Sequence, residues 1–198
     1  GASSYDEVIK AVETGLKFNN DLALLQCNTN YTASLENFKY INLKVLDTFK
    51  NIYPSMIVGL SDHTPGHTTV LGAITLGARI IEKHFTDNCE REGPDHKFSM
   101  TPKTWKEMVT RSRELELSLG SGLKKVEENE KETVLLQRRA IRVNKNLNKG
   151  SILNRQDIEV LRPCPIDAIS PNCINQVIGS KTNFDLKESD YIRWKDII

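Results

Sequence analysis

Hydrophobic positions change period several times along the first 120 residues of the chain. Ser3-Ser4-Tyr5-Asp6-Glu7 carries a serine cap and acids in its first turn, which predicts a helix running to about Phe18. Leu22–Cys27 is a short apolar run without helical spacing and predicts a buried strand. Ser34 opens a second predicted helix that carries Phe38, Ile41, Leu43, Val45, Leu46 and Phe49. Met56–Leu60 predicts a second strand, Thr68–Leu76 a third helix and Ala78–His84 a third strand. Pro102 then stands in the first turn of a helix with Trp105, Met108, Val109, Leu115 and Leu119, which Gly120 and Gly122 stop.

The resulting order, βαβαβα, is that of parallel strands buried on both faces. A closed (β/α)8 barrel takes roughly 250 residues and eight strands. Only three strands are legible, so this α/β region is either a small open sheet or the C-terminal part of a TIM barrel. The rest of the chain differs. Lys124–Lys131 is densely charged and reads as a solvated linker or a short helix. From Leu136 onward, short β-like segments (Ala140–Val143, Ile158–Leu161, Tyr191–Trp194) alternate with turn residues such as Asn148-Lys149-Gly150. The expected parts are an α/β region over 1–122, a linker over 123–135 and a small, mostly-β module over 136–198.

Composition narrows the function classes. With 27 Lys and Arg against 26 Asp and Glu, the net charge of +1 gives no electrostatic footprint for nucleic acid or an anionic membrane. No apolar run approaches the roughly 18 residues of a spanning helix. The four cysteines, Cys27, Cys89, Cys164 and Cys173, are widely spaced with no C-x-x-C pair, and a chain of this size can build a core without disulfides. Reduced thiols and a cytoplasmic location are the expectation, and residues 1–20 lack the pattern of a secretory signal.

In parallel α/β sheets, functional groups gather at the C-terminal strand ends. All three ends are polar: Cys27-Asn28-Thr29-Asn30-Tyr31, Ser61-Asp62-His63-Thr64 and Glu82-Lys83-His84-Phe85-Thr86. His63 and His84 occupy equivalent places one βα unit apart. Neighbouring strands lie about 4.8 Å apart, so the two imidazoles can share one cation. Two histidines leave most positions open to water and substrate oxygens, which suits Mn²⁺ or Mg²⁺ better than a closed structural zinc. Two hydrogen-bonded histidines closing strand ends are the competing reading. His63 and His67 stand four apart, but Pro65 and Gly66 spoil a continuous helical turn between them. Ser61 and its loop approach a helix start near Gly66, where unpaired N–H groups suit phosphate or where Ser61 serves as a cap. In the loop Gly93-Pro94-Asp95-His96-Lys97, Asp95 can bond a polyol hydroxyl or relay a proton, unless the segment is only a surface turn.

Together, Gly59-Leu-Ser-Asp-His-Thr64, Ile81-Glu-Lys-His-Phe-Thr86 and Gly93-Pro-Asp-His96 resemble the sialic-acid synthase family, which makes N-acetylneuraminate, legionaminate and pseudaminate. Lys149-Gly150, Arg162-Pro163 and Ile169-Ser-Pro171 resemble that family's C-terminal antifreeze-like (SAF) module. The resemblance implies condensation of phosphoenolpyruvate with an N-acylated mannosamine-type sugar, giving a nine-carbon 2-keto sugar acid and phosphate. It implies His63 and His84 as ligands of Mn²⁺ or Mg²⁺, and Ser61 on phosphoenolpyruvate. Asn28 and Thr29 would sit in the substrate-binding strand end, Thr29 standing where the motif carries Asn. Tyr31 and Asp95 would border the sugar and take part in catalysis. Arg162 would reach the sugar's acyl group from the SAF module of a partner subunit, so a homodimer is implied.

In the implied mechanism the metal polarises the open-chain aldehyde oxygen while C3 of phosphoenolpyruvate attacks. Water then adds at C2 and phosphate leaves. The family's earlier barrel strands, with their anion-binding lysines, have no counterpart in these residues. The expectation is therefore a C-terminal portion that is inactive by itself, with an open apolar edge favouring association. The alternative is a non-catalytic carbohydrate- or subunit-binding SAF module attached to a vestigial half-barrel.

Overall fold

A computed structural model describes all residues 1–198, and they divide into two compact units, Gly1–Leu123 and Lys124–Ile198. In the first unit the order is α1 (Tyr5–Leu16), β1 (Ala23–Cys27), α2 (Val45–Ile52), β2 (Ile57–Asp62), α3 (Thr68–Thr75), β3 (Ile80–Lys83) and α4 (Pro102–Leu119). The Ser4 cap is the one the sequence announces, and Thr101 adds a cap ahead of Pro102. The Glu7 carboxylate accepts from the Ser4 backbone N–H at 2.7 Å, and Thr101 and Thr104 exchange side-chain and backbone hydrogen bonds at the start of α4. Gly77 and Gly120 follow α3 and α4 with φ of +90° and +60°.

The three strands form one parallel sheet in the order β1-β2-β3. Their side chains alternate between two unlike faces. Val58 and Leu60 are buried with Leu46, Phe49, Ala73 and Ala78, and partly buried Leu24 and Ile81 join them on the face carrying the helices. On the other face one row holds Leu25, Gly59 and Ile80, and the next holds Cys27, Ser61 and Glu82. This second face is open, with Ile57 49% and Ile80 38% exposed. The expectation of burial on both faces fails because every helix of the unit packs on the same side. No closed barrel is formed: the sheet has three strands.

The single helix expected from Ser34 is also corrected. Leu35–Tyr40 is a 3₁₀ segment, Asn42 has φ of +50°, and α2 begins only at Val45. The reason lies in β1. The side-chain amide of Gln26 donates to Ile41 O at 2.9 Å and that of Asn28 to Tyr40 O at 3.2 Å, so these carbonyls serve side chains from another element.

The second unit opens with a 3₁₀ turn, Glu128–Glu130, and a short helix α5 (Lys131–Gln137), where a linker or short helix is expected. β4 (Ala140–Val143) and β5 (Ile158–Leu161) pair antiparallel. Tyr191–Trp194 is not a strand: Tyr191 makes one isolated bridge to Arg142, and Trp194 begins a 3₁₀ turn. Ile141, Val143, Leu147, Leu153, Ile158, Ile169, Val177, Leu186 and Ile192 make the core, with Val177 supplied by α6 (Ile174–Val177). All four cysteines are free, and no helix is long and apolar enough to cross a membrane.

Candidate functional site

The open face of the sheet turns polar toward the C-terminal ends of β2 and β3. Ser61 and Glu82 face each other across the ladder, and His63 and His84 follow two residues on, continuing the same alternation. The two imidazole centroids are 5.1 Å apart with their planes at 62°. Tyr31, from the loop after β1, meets both edge-on, at 4.4 Å from His63 and 5.6 Å from His84. Phe98 closes the group from the loop before α4, with its ring 5.0 Å from His84 and buried. That loop is tied down by backbone bonds from Met100 N to His84 O and from Thr86 N to Met100 O.

Each imidazole has an oxygen near its Nδ1. His63 Nδ1 lies 2.8 Å from the backbone oxygen of Asn28. A carbonyl only accepts, so this bond places the proton on Nδ1 and leaves Nε2 with its lone pair. His84 Nδ1 stands 3.5 Å from Oδ2 of Asp95, which is half exposed. An acceptor at Nδ1, as Asn28 O provides for His63, is the usual arrangement behind a histidine that ligates through Nε2, and Asp95 stands near His84 on the same side of its ring. The donor set therefore fits an open site in which two imidazoles hold a cation and other positions stay free. No group of three or more His, Cys, Asp or Glu side chains is gathered for a closed site.

The structure thus brings Tyr31, His63, His84 and Asp95 together. Asn28 joins them through its backbone oxygen, while its Oδ1 accepts from Asn30 N. Asn30 in turn bonds the buried side chain of Asn37. Thr29 is exposed and packs beside Gly1. Ser61 lies within β2 and caps nothing, since α3 starts at Thr68 with His67 as its cap residue. Its hydroxyl donates to Glu82 Oε1 at 2.7 Å. His67 is separated from His63 by a turn centred on Gly66, where φ is +73°. His96 bonds the hydroxyl of Thr86 at 2.8 Å. Arg162 belongs to the second unit, where its Nε donates to Gln137 O at 2.7 Å.

Sequence reasoning missed Phe98, Glu82 and the partners of Asp62. Asp62 and Lys83 form an ion pair with side chains 0% and 1% exposed, on the helix-bearing side of the sheet. The only signal for it is that both charged residues fall at helix-facing positions of strands whose other residues on that face are apolar.

The NeuB family model matches residues 1–124, and the SAF domain model matches residues 138–198. An N,N'-diacetyllegionaminic acid synthase of Legionella pneumophila is 36% identical over 202 residues, covering 100% of this chain and 55% of that protein. The N,N'-diacetyllegionaminic acid synthase of Campylobacter jejuni is 32% identical over 197 residues, covering 98% of this chain and 57% of that protein. Among solved structures, an N-acetylneuraminic acid synthetase from Leptospira borgpetersenii in complex with citrate matches with a TM-score of 0.59 and 31% identity, over 68% of this chain and 46% of that one. The chain spans little more than half the length of the two curated relatives. Because the NeuB model covers well over half of the 198 residues, and a SAF domain follows it, the chain belongs to the NeuB family.

Proposed function

We propose that this chain carries the metal- and sugar-facing part of a sialic-acid-type synthase site, which joins phosphoenolpyruvate to an N-acylated mannosamine-type sugar and releases phosphate. The observation that carries the reading is the convergence of His63 and His84 at 5.1 Å on the open face of a parallel sheet, with Tyr31 against both rings and Asp95 beside His84. The family membership and the SAF domain support it. In this reading the three strands are an arc of a (β/α)8 barrel, and the open face is the inner wall.

His63 and His84 would hold Mn²⁺ or Mg²⁺ through Nε2. When bound, the cation supplies Lewis acidity toward an aldehyde oxygen, with its full charge retained because both ligands are neutral. The chain's own residues provide the surroundings. Asn28 O fixes the tautomer of His63, and Asp95 orients His84 while its exposed edge accepts from a sugar hydroxyl. Tyr31, 55% exposed, presents a phenol that can donate to or accept from the sugar, and its ring screens the imidazoles from water. Arg162 is assigned the acyl oxygen of the sugar, delivered by a second copy of the chain, a role suited to the directional guanidinium.

Phosphoenolpyruvate carries about three negative charges, and it needs cations. The only lysine at the three strand ends, Lys83, is buried and paired on the opposite face. The reading therefore assigns the phosphate- and carboxylate-binding cations to other segments of the assembled synthase site.

Calorimetric titration with Mn²⁺ tests the assignment. Saturable binding is expected, and His63→Ala and His84→Ala should each abolish it; a chain that takes up no Mn²⁺ would behave as a binding module instead. Phosphate release from phosphoenolpyruvate is then compared with N-acetylmannosamine and with its diacetamido-trideoxy analogue as acceptors, to identify the sugar.

A further inference from the structure

The site as described does not use the most deeply buried charges in the first unit. Asp62 immediately precedes His63 and Lys83 immediately precedes His84, and the two are partners in the last rung of the β2–β3 ladder. Beyond that rung no backbone pairing joins the two strands, so the imidazoles stand one residue past the end of the sheet. Their neighbours point the other way. Lys83 Nζ lies 2.5 Å from Asp62 Oδ2 and donates to the backbone oxygen of Thr64 at 2.6 Å. Asp62 Oδ1 also accepts from Thr64 N at 3.1 Å and from the Thr64 hydroxyl at 2.9 Å. Oδ2 accepts from the hydroxyl of Thr69, in α3, at 2.6 Å.

One carboxylate and one ammonium therefore fasten the residue before His63, the residue after it, the residue before His84 and the first turn of α3 to each other. A buried ion pair is a weak device for stability, because the desolvation of two charges offsets most of their attraction and a well-packed apolar pair serves as well. What apolar packing lacks is direction. Hydrogen bonds of fixed length and angle set the offset of two strand ends where the backbone ladder has stopped doing so.

We propose that Asp62 and Lys83 are positioning residues for the imidazole pair: their ion pair is the last clamp between β2 and β3 and holds His63 and His84 at their spacing before any cation arrives. The inference rests on the reading of those imidazoles as a ligand pair, but the spacing itself is measurable without metal. Neither residue touches the substrate or the cation.

The test uses the full chain. Removing one partner alone strands a buried charge, so the informative variant is the double Asp62→Asn with Lys83→Met, which keeps shape and leaves neither charge behind. Asp62→Leu with Lys83→Met is the second variant if the first does not fold, since it also removes both charges and puts apolar packing of similar volume in their place. In the metal-free protein, nuclear Overhauser contacts between the rings of His63, His84 and Tyr31 are compared with methyl contacts within the core formed by Leu46, Leu60 and Ala73. The expected result is ring contacts weakened or lost while the core contacts persist. Ring contacts at wild-type intensity in a folded variant would overturn the proposal, whether or not the protein takes up Mn²⁺.

A second readout is Mn²⁺ affinity, expected to fall by about 10-fold or more in the double variant, the lower end of what losing a direct partner of a ligating histidine costs. A wild-type chain that takes up no Mn²⁺ would instead count against the ligand reading, and the ring contacts would still decide the positioning role.

Discussion

Asp95 reaches His84 from a separate loop, its Oδ2 standing 3.5 Å from the Nδ1 of the ring. In the proposed site the residue would serve both the imidazole and a sugar hydroxyl arriving from solvent. Asp95→Asn keeps the shape and removes the charge. Mn²⁺ affinity should drop by about 10-fold or more, the usual cost of losing a carboxylate behind a ligating histidine, while the thermal midpoint should move little because the side chain is half exposed. Calorimetry and thermal unfolding on the same samples separate the two effects.

The tautomer of His63 is a second expectation. Its Nδ1 faces the carbonyl oxygen of Asn28, so nitrogen-15 spectra of the metal-free neutral protein should show His63 protonated at Nδ1. Finding the proton on Nε2 would remove the ring from the ligand set proposed above.

Asp157 predicts how the second unit responds to acid. Lys145 Nζ lies 2.5 Å from Oδ1, and Asn154 donates to Oδ2 through its backbone N–H at 3.0 Å and its side chain at 3.1 Å. The lysine contact, followed by the Asn154 backbone bond, holds the carboxyl below its ordinary value. A lowered folded-state pKa stabilises above the unfolded value of about 3.9 and is lost as pH falls through the folded value. Urea midpoints of the wild type should thus fall steeply below about pH 4, and those of Asp157→Asn should be lower at neutral pH and flatter in acid. Each unit contains one tryptophan, Trp105 in the first and Trp194 in the second, so Trp105→Phe leaves a fluorescence signal reporting the second unit alone.

Gly59 tests the open face. A Cβ there would lie 2.5 Å from Ile80 O and 3.0 Å from the side chains of Ile80 and Leu25. Gly59→Ala must push β3 away from β2, at a cost of about 1–3 kcal/mol by analogy with other overpacked interiors. Denaturation followed through Trp105, with Trp194→Phe, should show it. Because Ile80 begins the strand that leads to His84, Mn²⁺ affinity should fall in the same variant.

Much of the first unit is legible in the chain. The apolar runs at Leu22–Cys27 and Met56–Leu60, the cap at Ser4 and the first-turn Pro102 are local signals, and the elements form where those signals stand. The clustering of polar residues at strand ends marks the site, and Tyr31, His63, His84 and Asp95 do come together. What is not legible depends on distant partners. The helix expected from Ser34 is divided because amides of Gln26 and Asn28 take the carbonyls of Ile41 and Tyr40. The bond from the Ser61 hydroxyl to Glu82 is hidden for the same reason, since the two residues lie 21 apart in the chain and meet only across the β2–β3 ladder. The open face is equally invisible, since Ile57 and Ile80 are as apolar as residues that are buried.

The strict alternation along β2 and β3 divides labour by parity: Ser61, His63, Glu82 and His84 serve one side, while Leu60, Asp62, Ile81 and Lys83 serve the other. Substitutions act on one side at a time, but deleting a single residue upstream in either strand rotates everything after it by half a turn. Such a deletion would carry an imidazole into the helical layer and swing a carboxylate or an ammonium outward. These strands should therefore tolerate exchanged residues far better than a changed count of them.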